Sequence, residues 1–143
     1  MVENVKPFRV LSLDGGGMRG TYTATYLSCL ESTFAARRGV SGLDLGATFD
    51  LITGTSTGGI IGCALAAGVR LSDMVTFYRR RGPSIFRRRL PKGIGPSFIA
   101  DLIRRRKALA LGADALRAAL VEHFGDLTLG GLYTARGIAL AIN

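Results

Sequence analysis

The chain has 143 residues, 48% hydrophobic and 20% charged, with a formal charge of +9 from 19 Lys+Arg against 10 Asp+Glu. That composition excludes a disordered or low-complexity chain, and the length fits one domain with its own core but is short for a complete α/β enzyme. The basic excess suits an anionic partner, either nucleic acid or an acidic lipid surface, and says nothing of fold.

Met1 to Phe8 is polar and lacks the apolar core of a secretory leader. Phe8–Leu13 alternates, is rich in strand formers, and stops at Asp14-Gly15-Gly16-Gly17. A helix is predicted next, with Tyr22, Tyr26, Leu27, Leu30 and Phe34 on one face, ended by Arg37-Arg38-Gly39. A loop over Val40–Gly46 leads to a second strand, Thr48–Thr53, which runs into Gly54. A small-residue helix follows, from Gly58 to Ala67. The longest apolar stretch, Ile60–Val69, is about half the ~20 residues of a bilayer span. The expectation is a cytoplasmic protein whose membrane contact, if any, is peripheral. Leu71–Arg80 reads as a short helix with Ser72 as N-cap. Gly82–Gly95 reads as an irregular basic segment, and Ala113–Phe124 as an amphipathic helix ended by Gly125. After a turn, Gly137–Ile142 reads as a buried strand. Cys29 and Cys63 lie in apolar helical patterns without zinc or redox spacing and are expected to be reduced, buried thiols.

The order strand, glycine turn, helix, repeated once, predicts a parallel α/β sheet with both glycine turns at carboxyl ends of strands, where such sheets build their sites. Gly54-Thr55-Ser56-Thr57-Gly58, between strand and helix, has the form of a nucleophile elbow. A serine lifted above the sheet on a strained turn needs small neighbours two residues away, and Gly54 and Gly58 supply them. The first turn exposes successive backbone N–H groups at the start of a helix, an anion nest that could hold the oxyanion of a tetrahedral intermediate. Gly15-x-Gly17-x-x-Gly20 also satisfies the dinucleotide fingerprint. Against that reading, Asp14 and Arg19 are not needed by the fingerprint. The second strand ends in an elbow rather than a ribose-binding acid, and Asp44 falls in a loop.

Leu11-Ser12-Leu13-Asp14-Gly15-Gly16-Gly17-Met18-Arg19-Gly20 resembles the oxyanion-hole segment of the patatin-like phospholipase family, and Phe49–Gly59 resembles its nucleophile segment nearly residue for residue. Phe77-Tyr78 and Gly82–Phe86 resemble the stretch that follows in plant and bacterial members, and the remainder is similar more loosely. The resemblance implies a three-layer α/β/α fold with a mostly parallel central sheet. It implies a lipid acyl hydrolase with a Ser-Asp dyad and no metal or cofactor. Ser56 would be the nucleophile and Gly15, Gly16 and Gly17 the oxyanion donors. Arg19, with Gly20, would brace that loop or contact a phosphate, and Gly54, Thr55, Thr57 and Gly58 would form the elbow. The family's aspartate sits in a later Asp-Gly-Gly or Asp-Gly-Ala. The only Asp-Gly here is Asp14-Gly15. Residues 1–143 are therefore expected to be the N-terminal portion of a single domain, incomplete at its C-terminus and inactive alone.

His123, the only histidine, is the one candidate for a Ser-His-Asp triad, with Asp73, Asp101 or Asp114 available, but it falls in the last turn of a helix, where the dipole favours it structurally. Asp50, beside the nucleophile strand, is expected to anchor neighbouring backbone. Arg79-Arg80-Arg81, Arg87-Arg88-Arg89 and Arg104-Arg105-Arg106-Lys107 read either as solvated helix faces or as a surface for anionic lipid head groups. Nucleic acid is disfavoured because aromatic platforms and binding motifs are absent. A non-catalytic lipid- or nucleotide-binding module is the remaining alternative.

Overall fold

A computed structural model describes residues 6–86 and 98–143, and no side chain between 98 and 110. The described residues fall into two compact units, residues 6–76 with 127–143, and 77–126.

The first unit is built on three parallel strands, β1 (Val10–Leu13), β2 (Leu51–Gly54) and β3 (Ala139–Ile142), in the order β1-β2-β3. Leu13 pairs with Gly54, and Gly54 with Ile142, so all three carboxyl ends reach the same level. Between β1 and β2 comes α1 (Gly20–Arg38). It stops where Gly39 turns left-handed at φ 64°, a conformation open to glycine without a Cβ clash.

Helix α2 (Thr57–Ala66) leaves directly from β2 and is buried nearly all round, with Ile61, Ala64 and Ala66 at 0% exposure. Small residues let it settle onto the sheet. A Cβ on Gly62 would lie 3.2 Å from Ile52, and one on Gly59 would lie 2.7 Å from Ile142. The core is Leu13, Ile52, Ile60, Ile61 and Leu65, the apolar faces of β1, β2 and α2.

Helix α3 (Leu71–Ile85) begins in the first unit and ends in the second, and α4 (Phe98–Phe124) belongs to the second. Within that second unit the Phe77 ring meets those of Tyr78 and His123 edge-on, at 5.4 and 5.0 Å. A Cβ on Gly112 would lie 2.5 Å from the Ile85 carbonyl, so only glycine lets these backbones meet. Burial pushes the Tyr78 phenol well above its ordinary range. Helix α5 (Leu129–Arg136) returns to the first unit and leads into β3.

Mixed α/β architecture with a parallel sheet and helices is as expected, but several local expectations are corrected. The helix starts at Leu71 as expected, but Ser72 lies inside it rather than capping it: the Asp73 and Met74 N–H groups donate to the Arg70 carbonyl. Helix α3 also continues through Pro83 to Ile85, beyond Arg80. The turn before β3 contains α5, capped by Thr128, whose hydroxyl accepts from Gly131 N–H at 3.0 Å. β3 is half-exposed rather than buried. Cys29 is exposed and Cys63 half-buried, both as free thiols, because α1 turns Cys29 outward. The same outward side of α1 carries Tyr22 and Tyr26, 76% and 54% exposed and stacked at 6.5 Å. Ala24, Leu27 and Ala35 face inward instead.

Candidate active site

Strand β2 delivers Gly54 to the sheet end, and the chain must then reverse into α2 within two residues. Ser56 takes the strained position, φ 53° and ψ −120°, and among the described residues it is the one non-glycine with positive φ. The turn is fixed from three sides. Thr55 N–H donates to the Leu13 carbonyl at 3.1 Å, Ser56 N–H to the Asn143 carbonyl at 3.1 Å, and Gly58 N–H to the Thr55 carbonyl at 2.9 Å. The Ser56 side chain makes no capping bond to α2 and is exposed, while Thr57, Gly58 and Gly59 behind it are buried.

Glycines around the serine are required by space. A Cβ on Gly54 would lie 2.6 Å from Gly58 and Gly59 backbone. One on Gly58 would land on the Leu13 carbonyl oxygen, and one on Gly15 would lie 2.7 Å from the Thr55 carbonyl and 3.0 Å from Ser56 Cβ. The β1–α1 loop is thus seated directly on the elbow.

That loop turns sharply at Gly17, φ 59°, into the short 3-10 helix Gly17–Arg19. Gly16 N–H donates to Thr57 Oγ1 at 3.1 Å. No hydrogen bond to the Gly15 or Gly17 amide is found among the described residues. Of the three expected oxyanion donors, Gly16 is therefore engaged by protein and Gly15 and Gly17 are open. Arg19 folds back over Gly16, its Nε 2.8 Å from where a Gly16 Cβ would stand, while Gly20 opens α1. A cleft of about 230 Å³ lies at the strand ends, lined by Asp14, Thr55, Asn143 and neighbours.

Asp50 Oδ2 accepts from Arg9 N–H at 2.8 Å, and its Oδ1 lies 3.9 Å from Lys6 Nζ, so it anchors backbone as expected. Asp44 forms an ion pair with Arg136, a partner on α5 that the sequence reading did not supply. His123 lies in the last turn of α4 and packs on Phe77 within the second unit. Arg79, Arg80 and Arg81 are exposed on α3, and Arg81 pairs with Glu122 at 2.6 Å. Arg87, Arg88 and Arg89 lie outside the described residues, as do the side chains of Arg104, Arg105 and Arg106. No helix among the described residues is long and apolar enough to cross a membrane.

The family model described as patatin-like phospholipase matches residues 11–139. The chain belongs to the patatin-like phospholipase family. Among curated relatives it is 39% identical over 104 residues to a cGAMP-activated phospholipase of Vibrio cholerae serotype O1, covering 73% of this chain and 28% of that protein. It is 33% identical over 122 residues to Patatin-17 of Solanum cardiophyllum, covering 79% and 31%. Against Patatin-like protein 2 of Oryza sativa subsp. indica it is 34% identical over 134 residues, covering 89% and 32%. The chain thus spans about a third of the length of these relatives. No solved structure matches it significantly. The mixed α/β architecture on a parallel sheet is consistent with the α/β/α fold of that family.

Proposed function

We propose that this chain carries the nucleophile and oxyanion loop of a serine hydrolase that cleaves carboxylic esters of lipids, of phospholipase A type. The carrying observation is Ser56: an exposed serine on the one positive-φ non-glycine position among the described residues, tied to the ends of β1 and β3 and adjoining Gly15. Ser56 Oγ attacks the ester carbonyl while its proton passes to a carboxylate base. The oxyanion is held by the Gly15 and Gly17 amides. Collapse expels the alcohol, which takes up the proton, and leaves an acyl-serine. Water then attacks the acyl carbon, and the fatty acid departs.

The base in this reading is an aspartate in an Asp-Gly-Gly or Asp-Gly-Ala that these 143 residues do not contain, so alone they do not turn over ester. The family match runs through both compact units, which supports one patatin-like domain over residues 1–143. Arg79, Arg80 and Arg81, with the two later arginine runs, would hold the enzyme to anionic lipid head groups from the cytoplasmic side. Arg19 would brace the oxyanion loop.

The test uses the full-length natural protein, with and without cGAMP, since the relative from Vibrio cholerae is named for activation by it. A fluorophosphonate probe should label Ser56, and anionic phospholipid vesicles should release fatty acid. Both signals should vanish in Ser56→Ala and persist in His123→Ala. An unlabelled Ser56 would sink the enzyme reading, and loss in His123→Ala would favour a Ser-His-Asp triad.

A further inference from the structure

The side chain that joins the two halves of the site is Thr57. It is 1% exposed and is the one buried polar residue among the described residues. It opens α2, directly after Ser56, and its hydroxyl reaches beyond that helix. Thr57 Oγ1 accepts from the Gly16 N–H at 3.1 Å, crossing to a loop 41 residues away in sequence.

Position gives this bond its consequence. Ser56 and Thr57 are covalent neighbours, so whatever Thr57 grips is held at a fixed distance from the nucleophile. It grips the middle glycine of the run Gly15-Gly16-Gly17. The loop's central amide is turned inward to the hydroxyl, and the amides on either side are left open. On one flank Gly15 is packed against Ser56, and on the other Gly17 enters its left-handed turn. A part-buried donor that loses its acceptor costs free energy, so losing the hydroxyl would drive the Gly16 amide to seek another partner and rotate the loop.

We propose that Thr57 is a positioning residue whose hydroxyl latches the oxyanion loop to the nucleophile helix through Gly16 and so sets the Gly15 and Gly17 amides for the oxyanion. This rests on the reading of Ser56 as nucleophile. Its energetic signature is specific to the transition state. The oxyanion exists only after attack, so a misplaced donor lowers kcat and leaves ground-state binding of lipid little changed.

The experiment compares Thr57→Val, which keeps the shape and removes the hydroxyl, with Thr57→Ser, which keeps the hydroxyl and removes the methyl, in the full-length natural protein. Thr57→Val should lower kcat and the rate of fluorophosphonate labelling about 10- to 100-fold, with KM unchanged within about twofold. Thr57→Ser should recover most of that loss. Should Thr57→Val fail to fold, Thr57→Ala against Thr57→Ser isolates the hydroxyl with the methyl absent from both. Amide exchange provides a readout independent of chemistry: Gly16 N–H should be protected in wild type and Thr57→Ser and exchange faster in Thr57→Val. A Thr57→Val enzyme with wild-type kcat, or a Thr57→Ser enzyme as impaired as Thr57→Val, overturns the latch. So does equal Gly16 exchange in wild type and Thr57→Val, whether or not Ser56 reacts. Failure of wild-type labelling with a protected Gly16 would count against the enzyme reading alone.

Discussion

If Ser56 is held in a strained conformation by its surroundings, removing its Cβ should stabilise the protein while destroying the site. A side chain at positive φ outside the favoured wells costs about 1–3 kcal/mol. The backbone here sits at φ 53° and ψ −120°, fixed by the Leu13 and Asn143 carbonyls and by the start of α2. Ser56→Ala keeps the Cβ and hence the strain. Its hydroxyl is exposed and makes no capping bond, so its loss should change stability by less than about 0.5 kcal/mol. Ser56→Gly releases the strain but gives the unfolded chain more freedom, a loss of about 0.5–1 kcal/mol. The difference leaves Ser56→Gly more stable than Ser56→Ala by about 1 kcal/mol. Urea denaturation of the two variants, read as the shift in midpoint at constant m, measures this directly. Equal stability, or a more stable alanine variant, would refute the claim that the fold holds Ser56 under strain.

Two further outcomes follow from neighbouring features. Gly58 and Gly130 are each the second residue of a helix, but a Cβ on Gly58 meets the Leu13 carbonyl and lies 2.7 Å from that of Asp14, whereas one on Gly130 meets nothing within 4 Å. Gly130→Ala should therefore gain up to about 1 kcal/mol of helix propensity, while Gly58→Ala should lose about 1–2 kcal/mol net after overpacking. Midpoint shifts of the same sign would contradict this. Glu31 has its carboxyl pushed up by burial and by Asp44, partly countered by Arg70. A raised acid binds its proton more tightly folded than unfolded, so stability is retained below the ordinary glutamate range and lost as pH rises through the raised value. Glu31→Gln should thus be the more stable protein at neutral pH, with the advantage fading as pH falls through the glutamate range; an advantage independent of pH would refute it.

The parts legible in the sequence were those where one residue type answers one local need. Gly39 after two arginines marked the end of α1, and Gly54 and Gly58 marked an elbow, because each position tolerates little else. Helix α5 was missed because Gly130-Gly131 reads as a turn, although Thr128 three residues before Gly131 is a cap signal that could have revealed it. Helix α3 runs on through Pro83, which a local rule takes as a boundary. The outward side of α1 was misread for Cys29 because its low hydrophobic contrast does not distinguish a buried stripe of small residues, Ala24 and Ala35, from an exposed one carrying tyrosines.

What no local pattern could convey is how the amides around the elbow are divided. The run of three glycines suggested three equivalent oxyanion donors. In the structure the Ser56 amide is spent on Asn143, the Gly58 amide on Thr55 and the Gly16 amide on Thr57. These bonds tie Ser56, the helix start and the loop together at the common level where β1, β2 and β3 end. Rigidity matters because donors that are already oriented need no reorganisation when charge develops. The amides left over, Gly15 beside Ser56 and Gly17 at the loop's turn, are the ones the proposed mechanism takes as oxyanion donors. In that proposed mechanism the loop would owe its anion affinity less to the number of its amides than to which of them the fold has already engaged.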